Sequence, residues 1–390
     1  MDNRTYDVVV FGATGFTGRL VAEYLAAEYG QDVKWAMAGR SDAKLAYVRD
    51  EIGAPADTPF IIADSADPAS LLALAKQTRA VITTVGPYQL YGEALVKACV
   101  EAGTDYVDLC GEPAWMYDII RDYSEPAAAS GARIVLSCGF DSIPFDLGVY
   151  FLQQQAIAKT GAPLARVKGR VRKMKGTFSG GTAASFAETM ARAAKEPEVI
   201  NRLRDPFSLS GGFEGPAQPF GNKVIYEEDL DTWSAPFIMA SINTKNVHRS
   251  NALLGHRYGE DFVYDEMFAT GPGEKGEQFA HMIANDKSMA ENPPKPGEGP
   301  SKEERESGYY DAMFTGLDAD GTRHIAGVTG DKDPGYGSTS KMIAEAALCL
   351  VFDVDRTMTG GGVYTTAPAM GEKLIARLEE HAGLTFKIES

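Results

Sequence analysis

The stretch VVVFGATGFTGRLVAEYL, residues Val8 to Leu25, carries a β-branched run straight into a glycine-punctuated turn. Tyr6 to Phe11 reads as a central parallel strand, continuous in apolar residues because both of its faces are covered. Gly12, Gly15 and Gly18 follow at G-x-x-G-x-x-G spacing, with the middle glycine one place later than in the G-x-G-x-x-G fingerprint. From Phe16 onward Leu20, Val21, Tyr24 and Leu25 fall at helical intervals. A strand, a glycine turn and a helix N-terminus together make a pyrophosphate cradle. The glycines let the backbone approach the anion, and the free N–H groups and dipole of the helix face it.

A second strand, Val33 to Ala38, ends in Gly39-Arg40-Ser41. An NAD-binding unit places an acidic residue about here for the ribose 2′-hydroxyl. Arg40 and Ser41 instead offer a cation and a hydroxyl suited to a 2′-phosphate, so the expected cofactor is NADP(H).

The rest of the chain bounds the class. At 390 residues it exceeds the size at which single cores stop growing, so two domains are expected. The hydrophobic fraction of 44% and charged fraction of 24% are those of a globular enzyme, and a net charge of −16 argues against nucleic acid as partner. No apolar run is long enough for a transmembrane helix, and the start lacks a signal-peptide pattern, so a cytoplasmic protein is expected. Cys99, Cys110, Cys138 and Cys349 have no metal-ligand spacing and read as buried free thiols, and no metal is expected.

Alternation continues through the first third. PFIIADSADPASLLALAKQ gives a strand to Ala63 and a helix from Pro68, with Asp64 placed either to reach an adenine or to hold the turn. A fourth strand, Ala80 to Val85, ends in Gly86-Pro87-Tyr88 at the carboxyl edge where ligands of open α/β sheets bind. ARIVLSCGFDSIPFDLG supplies another strand whose tip lies at the same edge. After about Tyr150 the texture changes. PLARVKGRVRKMK, residues 163–175, alternates with Arg166, Lys168, Arg170 and Arg172 on one face, as in an antiparallel sheet with a solvated side. Those cations could also attract the phosphates of coenzyme A or an acidic carrier. Residues 176–195 read as a glycine-rich turn entering a helix, residues 271–308 as a long loop or flap, and Ser338–Leu350 and Met370–His381 as helices.

None of the 17 tyrosines has a lysine four residues later, so the Tyr-x-x-x-Lys proton-transfer pair of the short-chain dehydrogenases is excluded. Instead the chain resembles the saccharopine dehydrogenase-like oxidoreductases, and within them the trans-acting enoyl reductase branch. The segments that carry the resemblance are FGATGFTGRLVAEYL, AGRS, TTVGPYQLYGEALVKACVEAGTDYVDLCGE, CGFDSIPFDLG, KPGEGPSKEERESG, GDKDPGYGSTSKMIAEAALCL and GGVYTTAPAMGEKLIARLEEHAGLTF. They span residues 11 to 386 in order.

The resemblance implies an α/β chain: a doubly wound parallel Rossmann domain over residues 1–145, then an α+β domain with a mainly antiparallel sheet over 146–335. Residues 336–390 would return, with a helix at about 336–352 packing on the first domain. Gly12, Thr14, Gly15, Phe16 and Gly18 would cradle the pyrophosphate, Arg40 and Ser41 would hold the 2′-phosphate, and Val85, Gly86 and Pro87 would flank the nicotinamide ribose. The loop Gly139 to Pro144 looks like the family's domain-crossing loop, but Asp-Ser-Ile-Pro replaces a DPG-like turn, which counts against an amino-acid substrate.

The reading that follows is an NADPH-dependent reductase of a conjugated double bond in a lipid-like or acyl-thioester substrate. A hydride-accepting substrate needs a donor for its enolate or a source of its proton. Tyr88, Asp141 and Ser142 are the candidates by position, each with an alternative role in packing, capping or turn formation. The expected partner is a small-molecule or acyl-carrier substrate, and a homodimer is left open. Two other readings are an NADP-binding scaffold without turnover associated with lipid, and an opine-type amino-acid dehydrogenase, for which Arg249 would be the clamp residue.

Overall fold

The β-branched runs of the first third lie side by side in parallel, which buries them on both faces. In the computed structural model, which describes residues 4–177, 180–291, 295 and 297–390, fourteen strands among the described residues form two seven-stranded sheets. In chain order these are β1 (Tyr6–Phe11), β2 (Trp35–Gly39), β3 (Phe60–Ile62), β4 (Thr78–Thr83), β5 (Asp105–Val107) and β6 (Arg133–Val135). Then come β7 (Arg166–Lys175), β8 (Ile225–Glu227), β9 (Thr232–Pro236), β10 (Val263–Gly271), β11 (Tyr309–Leu317), β12 (Arg323–Gly330), β13 (Gly362–Tyr364) and β14 (Leu384–Ile388).

The first sheet has the order β3-β2-β1-β4-β5-β6-β13, with every pairing parallel. Strand order reverses at β1, between β2 and β4. The carboxyl ends of β1 and β4 therefore frame the crevice in which sheets of this topology bind ligands. Its outermost strand, β13, is supplied by the far end of the chain, where Gly362 to Tyr364 run beside Arg133 to Val135.

The helix Thr339–Phe352, apolar nearly all round, packs on the first sheet and between the helices Phe16–Glu28 and Thr366–His381. A helix hydrophobic on all sides is stable only when enclosed in this way. Its one buried carboxylate, Glu345, accepts from Tyr24 (2.6 Å) and Tyr29 (2.7 Å) and pairs with Arg377 (3.3 Å). The last helix starts at Thr366 rather than Met370 and is broken at Gly371, whose φ of 46° lies in the left-handed region.

The second sheet has the order β14-β12-β11-β7-β10-β9-β8. It is antiparallel except between β7 and β10, which run parallel. A parallel pair needs a long crossover, and residues 176–262 provide it, including the helix Ala240–Leu253. That helix and the helix Ile143–Thr160 pack together, the first against β10 and the second against β11 and β12. Gly148 makes the close approach possible, since a Cβ there would lie 2.2 Å from the Phe314 ring.

Two expectations change. The basic face of β7 is neutralised rather than offered to an anionic partner. Arg166 pairs with Asp265, Lys168 with Glu227 and Asp229, Arg170 with Glu227 and Asp265, and Arg172 with Asp311 and Glu389. Within 271–308 the chain forms the helix Gly273–Ala284 and a short helix, Lys302–Glu306, closed by a Ser301/Glu304 capping box. Residues 292–294 and 296 of that stretch, and residues 178–179 of the turn before the helix Gly180–Lys195, lie outside the described residues.

Candidate functional site

Gly12 leaves β1 with φ +89°, a conformation side chains resist, and a Cβ there would meet Val85 Cγ2 at 2.7 Å. A Cβ on Gly18 would sit 2.1 Å from the Gly12 carbonyl oxygen, so Gly18 is what lets the helix Phe16–Glu28 lie on the turn. Gly15 is the N-cap of that helix, exposed beside the exposed Thr14, and no side chain caps the helix start. Exposed backbone at an uncapped helix N-terminus is a fit for a pyrophosphate. Phe16 does not point at the turn alone. Its ring meets Tyr336 edge-on at 5.2 Å, and Gly299 and Arg305 lie against it, so the segment around 299–305 borders the cradle.

Arg40 is exposed at the end of β2, free of the cap role, while the Ser41 hydroxyl accepts from Lys44 N at 3.4 Å as the N-cap of the next helix. Asp64 takes the turn role, with Oδ1 accepting from Ala66 N at 3.0 Å. Both positions remain beside the β2 and β3 carboxyl ends where an adenosine 2′-phosphate would lie.

Val85, Gly86 and Pro87 follow β4 with a cis Gly86–Pro87 peptide. Tyr88 turns the other way. It is buried, its hydroxyl donates to Thr83 O (3.2 Å) and accepts from Leu109 N (3.0 Å), and its backbone N–H donates to Glu112. Burial, reinforced by the charge of Asp108, pushes its hydroxyl well above the usual tyrosine range. Tyr88 is thus placed as a packing residue, with both bonds of its hydroxyl made inside the protein.

The loop after β6 is held at both ends. Ser137 N donates to Asp108, Phe140 N donates to Thr339 Oγ1 (2.9 Å), and Ile143 N closes on Gly139 O. At its tip the Asp141–Ser142 peptide is cis. Asp141 keeps some exposed surface, yet its Oδ1 is shut off from solvent and has no hydrogen-bond partner. Burial pushes its carboxyl up to about 7. Ser142 is buried, and its hydroxyl accepts from Asn246 Nδ2 at 2.8 Å.

That amide leads to residues the sequence reading missed. The helix Ala240–Leu253 is polar yet enclosed: Asn243, Lys245, Asn246, His248, Arg249, Ser250 and Asn251 are all buried. Asn243 Nδ2 donates to Glu266 Oε2 (2.9 Å), and Tyr264 donates to Glu266 Oε1 (2.8 Å). Burial pushes Glu266 up to about 8; its two hydrogen bonds oppose this and the charges of Asp141 and Asp265 add to it. Two hydrogen-bonded pairs, Ser142–Asn246 and Asn243–Glu266, thus sit on one helix turn, with Asp141 near enough for its charge to act on Glu266. Three atoms of this cluster, Asp141 Oδ1, Asn243 Oδ1 and Asn246 Oδ1, are buried without partners. Buried orphans of this kind are rare and mark places where a ligand or water completes the bonding.

Its neighbours have other work. Arg249, the clamp residue of the opine reading, is buried and spends its two terminal nitrogens on Leu209 O and Val363 O, both at 2.6 Å. Lys245 donates to Asp205 O. Asp146 ties the Ile143–Thr160 helix to Ser250, Thr366 and Ala367. The signal that could have found the cluster is the helix itself: ASINTKNVHRSNAL has no clean apolar stripe, which is unusual for a surface helix.

Comparison with known proteins adds to this geometry. Residues 8–135 match the saccharopine dehydrogenase NADP binding domain family. A provisionally named trans-acting enoyl reductase of Mycobacterium tuberculosis (strain H37Rv) is 41% identical, with 96% of each chain covered. The trans-acting enoyl reductase of Mycobacterium ulcerans (strain Agy99) is 36% identical, covering 97% of this chain and 96% of its own. Among solved structures, the apo L-Glu-forming saccharopine dehydrogenase of Saccharomyces cerevisiae matches in fold with a TM-score of 0.55 at 13% identity, covering 99% of this chain and 100% of its own. Among the described residues no helix is long and apolar enough to cross a membrane.

Proposed function

The chain belongs to the saccharopine dehydrogenase-like oxidoreductases, on the branch of the trans-acting enoyl reductases, and we propose that it reduces a carbon–carbon double bond conjugated to a carbonyl in an acyl-thioester or lipid-like substrate. It is an NADP-dependent oxidoreductase. The Gly12–Gly18 turn would hold the NADPH pyrophosphate, Arg40 and Ser41 its 2′-phosphate and Val85 to Pro87 its nicotinamide ribose, and the bound cofactor would supply a hydride. Thr14 and Phe16 line the same turn, and Asp64 borders the adenosine end.

The remaining chemistry falls to the chain's own groups. Hydride arriving at the β-carbon of an enone pushes an electron pair onto the carbonyl oxygen, and the resulting enolate needs a proton at the α-carbon. Asp141 is the proton donor in this reading. A carboxyl pushed up to about 7 is poised near neutral pH, protonated in a substantial share of molecules, and no hydrogen bond within the protein claims its buried Oδ1. Ser142 fixes the loop tip through Asn246. We read residues 1–145 with the return helix as the cofactor-holding unit and 146–335 as the unit that receives the substrate.

The observation that carries the reading is the unpartnered Asp141 carboxyl on the loop that joins the two sheets. The test is NADPH oxidation with a 2-enoyl-CoA, the free 2-enoic acid and a carrier-bound enoyl chain, against α-keto acids with lysine or glutamate. Turnover with an enoyl thioester that is lost in Asp141→Asn supports it. Turnover confined to keto acids with an amine overturns it.

A further inference from the structure

The cluster around Asp141 contains two side-chain amides on one face of a buried helix, Asn243 and Asn246, three residues apart and therefore stacked on the same face. Both are buried, at 0% and 1% exposure, and each spends one end on the protein. As oriented here the Asn243 NH2 donates to Glu266 and the Asn246 NH2 to Ser142, while the carbonyl oxygen of each amide has no partner. A buried amide half-satisfied in this way costs stability. Two on one turn, one bonded to Ser142 beside the unpartnered Asp141 and the other to Glu266, which feels the charge of Asp141, mark a site built for a ligand rather than a packing accident.

We infer that Asn243 and Asn246 are the oxyanion-binding pair of this enzyme, taking the carbonyl oxygen of an enone or enoyl thioester, and that the Glu266 carboxyl sets which end of Asn243 faces that oxygen. The inference rests on the reductase reading above and adds the residues that hold the enolate. A carboxamide has a donor end and an acceptor end of nearly equal size, so the group behind it decides which end turns outward. Ionised Glu266 accepts from the Asn243 NH2 and leaves the carbonyl end facing the site. Protonated Glu266 donates to the Asn243 carbonyl, and the NH2 then faces the substrate oxygen. Ser142 can do the same for Asn246, because a hydroxyl serves as donor or acceptor. Two N–H donors aimed at an oxygen gaining charge strengthen as hydride arrives, which is where binding lowers the barrier.

The groups around Glu266 favour the protonated form at neutral pH. Tyr264 and Asp265 flank it on β10, Asp141 approaches from the crossing loop, and neutral Asn243 comes from the helix. β7 contributes Gly169, with no side chain to offer, and its cation Arg170 is spent on Glu227 and Asp265. Hydride transfer is therefore expected to fall as pH rises through about 8.

The test compares wild type with Asn243→Asp and Asn246→Asp, which keep shape and replace a donor by an acceptor. NADPH affinity, thermal midpoint and single-turnover NADPH oxidation with a 2-enoyl-CoA are measured for each. The rate is expected to fall about 100-fold in both, as when one oxyanion donor is removed elsewhere, with NADPH affinity nearly unchanged. Unaltered rates in both variants, with Asp141→Asn still inactive, overturn the amide pair and leave the reductase reading intact. Wild type inert toward every enoyl probe overturns the reading itself.

Glu266→Gln is the second variant, and it covers the case in which the aspartates do not fold. Asp141 loses its proton near 7 and keeps imposing a first fall, but the steeper loss of rate through about 8 should be gone. In cofactor-free protein labelled with 15N, the Asn243 side-chain amide should shift with pH around 8 in wild type and stay still in Glu266→Gln. A profile in Glu266→Gln that still steepens through about 8, as in wild type, or an Asn243 amide indifferent to pH in wild type, overturns the role given to Glu266.

Discussion

Asp265 and Glu266 are neighbours on β10, both buried, and they project to opposite sides of the sheet. Asp265 meets Arg166 and Arg170, and Glu227 beside it meets Lys168 and Arg170. Burial alone would push Glu227 up, but those donors, Arg170 foremost, bring it down to about 2. Glu266 has an amide and a phenol for partners and no cation, and it goes the other way, to about 8. β10 therefore carries one buried carboxylate paired with arginines, Asp265, and one without a cation, Glu266. The paired kind holds the sheet together. The unpaired kind, with Asp141, keeps a proton ready at neutral pH, and costs stability to maintain.

The contrast is broken most severely at Asp141. Asp141→Asn removes the proton source, so turnover should fall by about 100- to 10,000-fold, while NADPH affinity and the thermal midpoint at pH 7 stay near wild type. Steady-state kinetics with a cofactor titration reads this. A variant that loses stability and keeps its rate would make Asp141 a turn residue like Asp64.

On the other face the same kind of change should touch stability alone. Arg170→Met leaves Glu227 and Asp265 buried without their main cation, which typically costs about 3–5 kcal/mol. Denaturant unfolding should register that loss, with the rate per folded molecule unchanged. A stable Arg170→Met protein with a lower rate would mean the ion-pair face also takes part in the reaction.

Arg40 tests the cofactor end. Arg40→Asp places a carboxylate toward the 2′-phosphate and should weaken NADPH binding by at least about tenfold, the scale of a lost charged hydrogen bond. NADH binding should change far less. Equal losses for both cofactors would remove Arg40 from the phosphate.

The smallest effect is a sign. Glu266 binds its proton more tightly folded, up to about 8, than unfolded, where an ordinary glutamate titrates near ~4.3. Between those values the folded state holds the extra proton, so the stability Glu266 contributes is full below the lower value and is lost as pH rises through the upper one. Glu266→Gln should therefore unfold at a higher temperature than wild type at pH 9 and gain least at pH 4. A constant difference across pH would show that Glu266 does not titrate as the account requires.

The cofactor half of this molecule was legible because a pyrophosphate site is made of backbone. Glycines at fixed spacing between a strand and a helix are local, and Gly12 and Gly18 are required by contacts with residues only a turn away or on the adjoining strand end. The loop at Asp141 and Ser142 was legible for the same reason, as polar residues at a strand tip. Tyr88 shared that address and misled, because which way a side chain turns depends on Thr83 and Leu109. Arg166 to Arg172 misled likewise, since their partners stand at 227, 229, 265, 311 and 389. Glu266, Asn243 and Asn246 were invisible: Asn246 is 104 residues from Ser142 and Glu266 is 23 from Asn243, and the three segments meet only in the folded chain.

The most direct measurement is a crystal structure of the protein with NADP and an unreactive acyl-thioester analogue bound. The account predicts the nicotinamide ring beside Val85 to Pro87, with the thioester carbonyl within hydrogen-bonding distance of the Asn243 and Asn246 amides and the Asp141 carboxyl beside the α-carbon. A nicotinamide ring remote from Asp141, with the acyl carbonyl held by other groups, would contradict it.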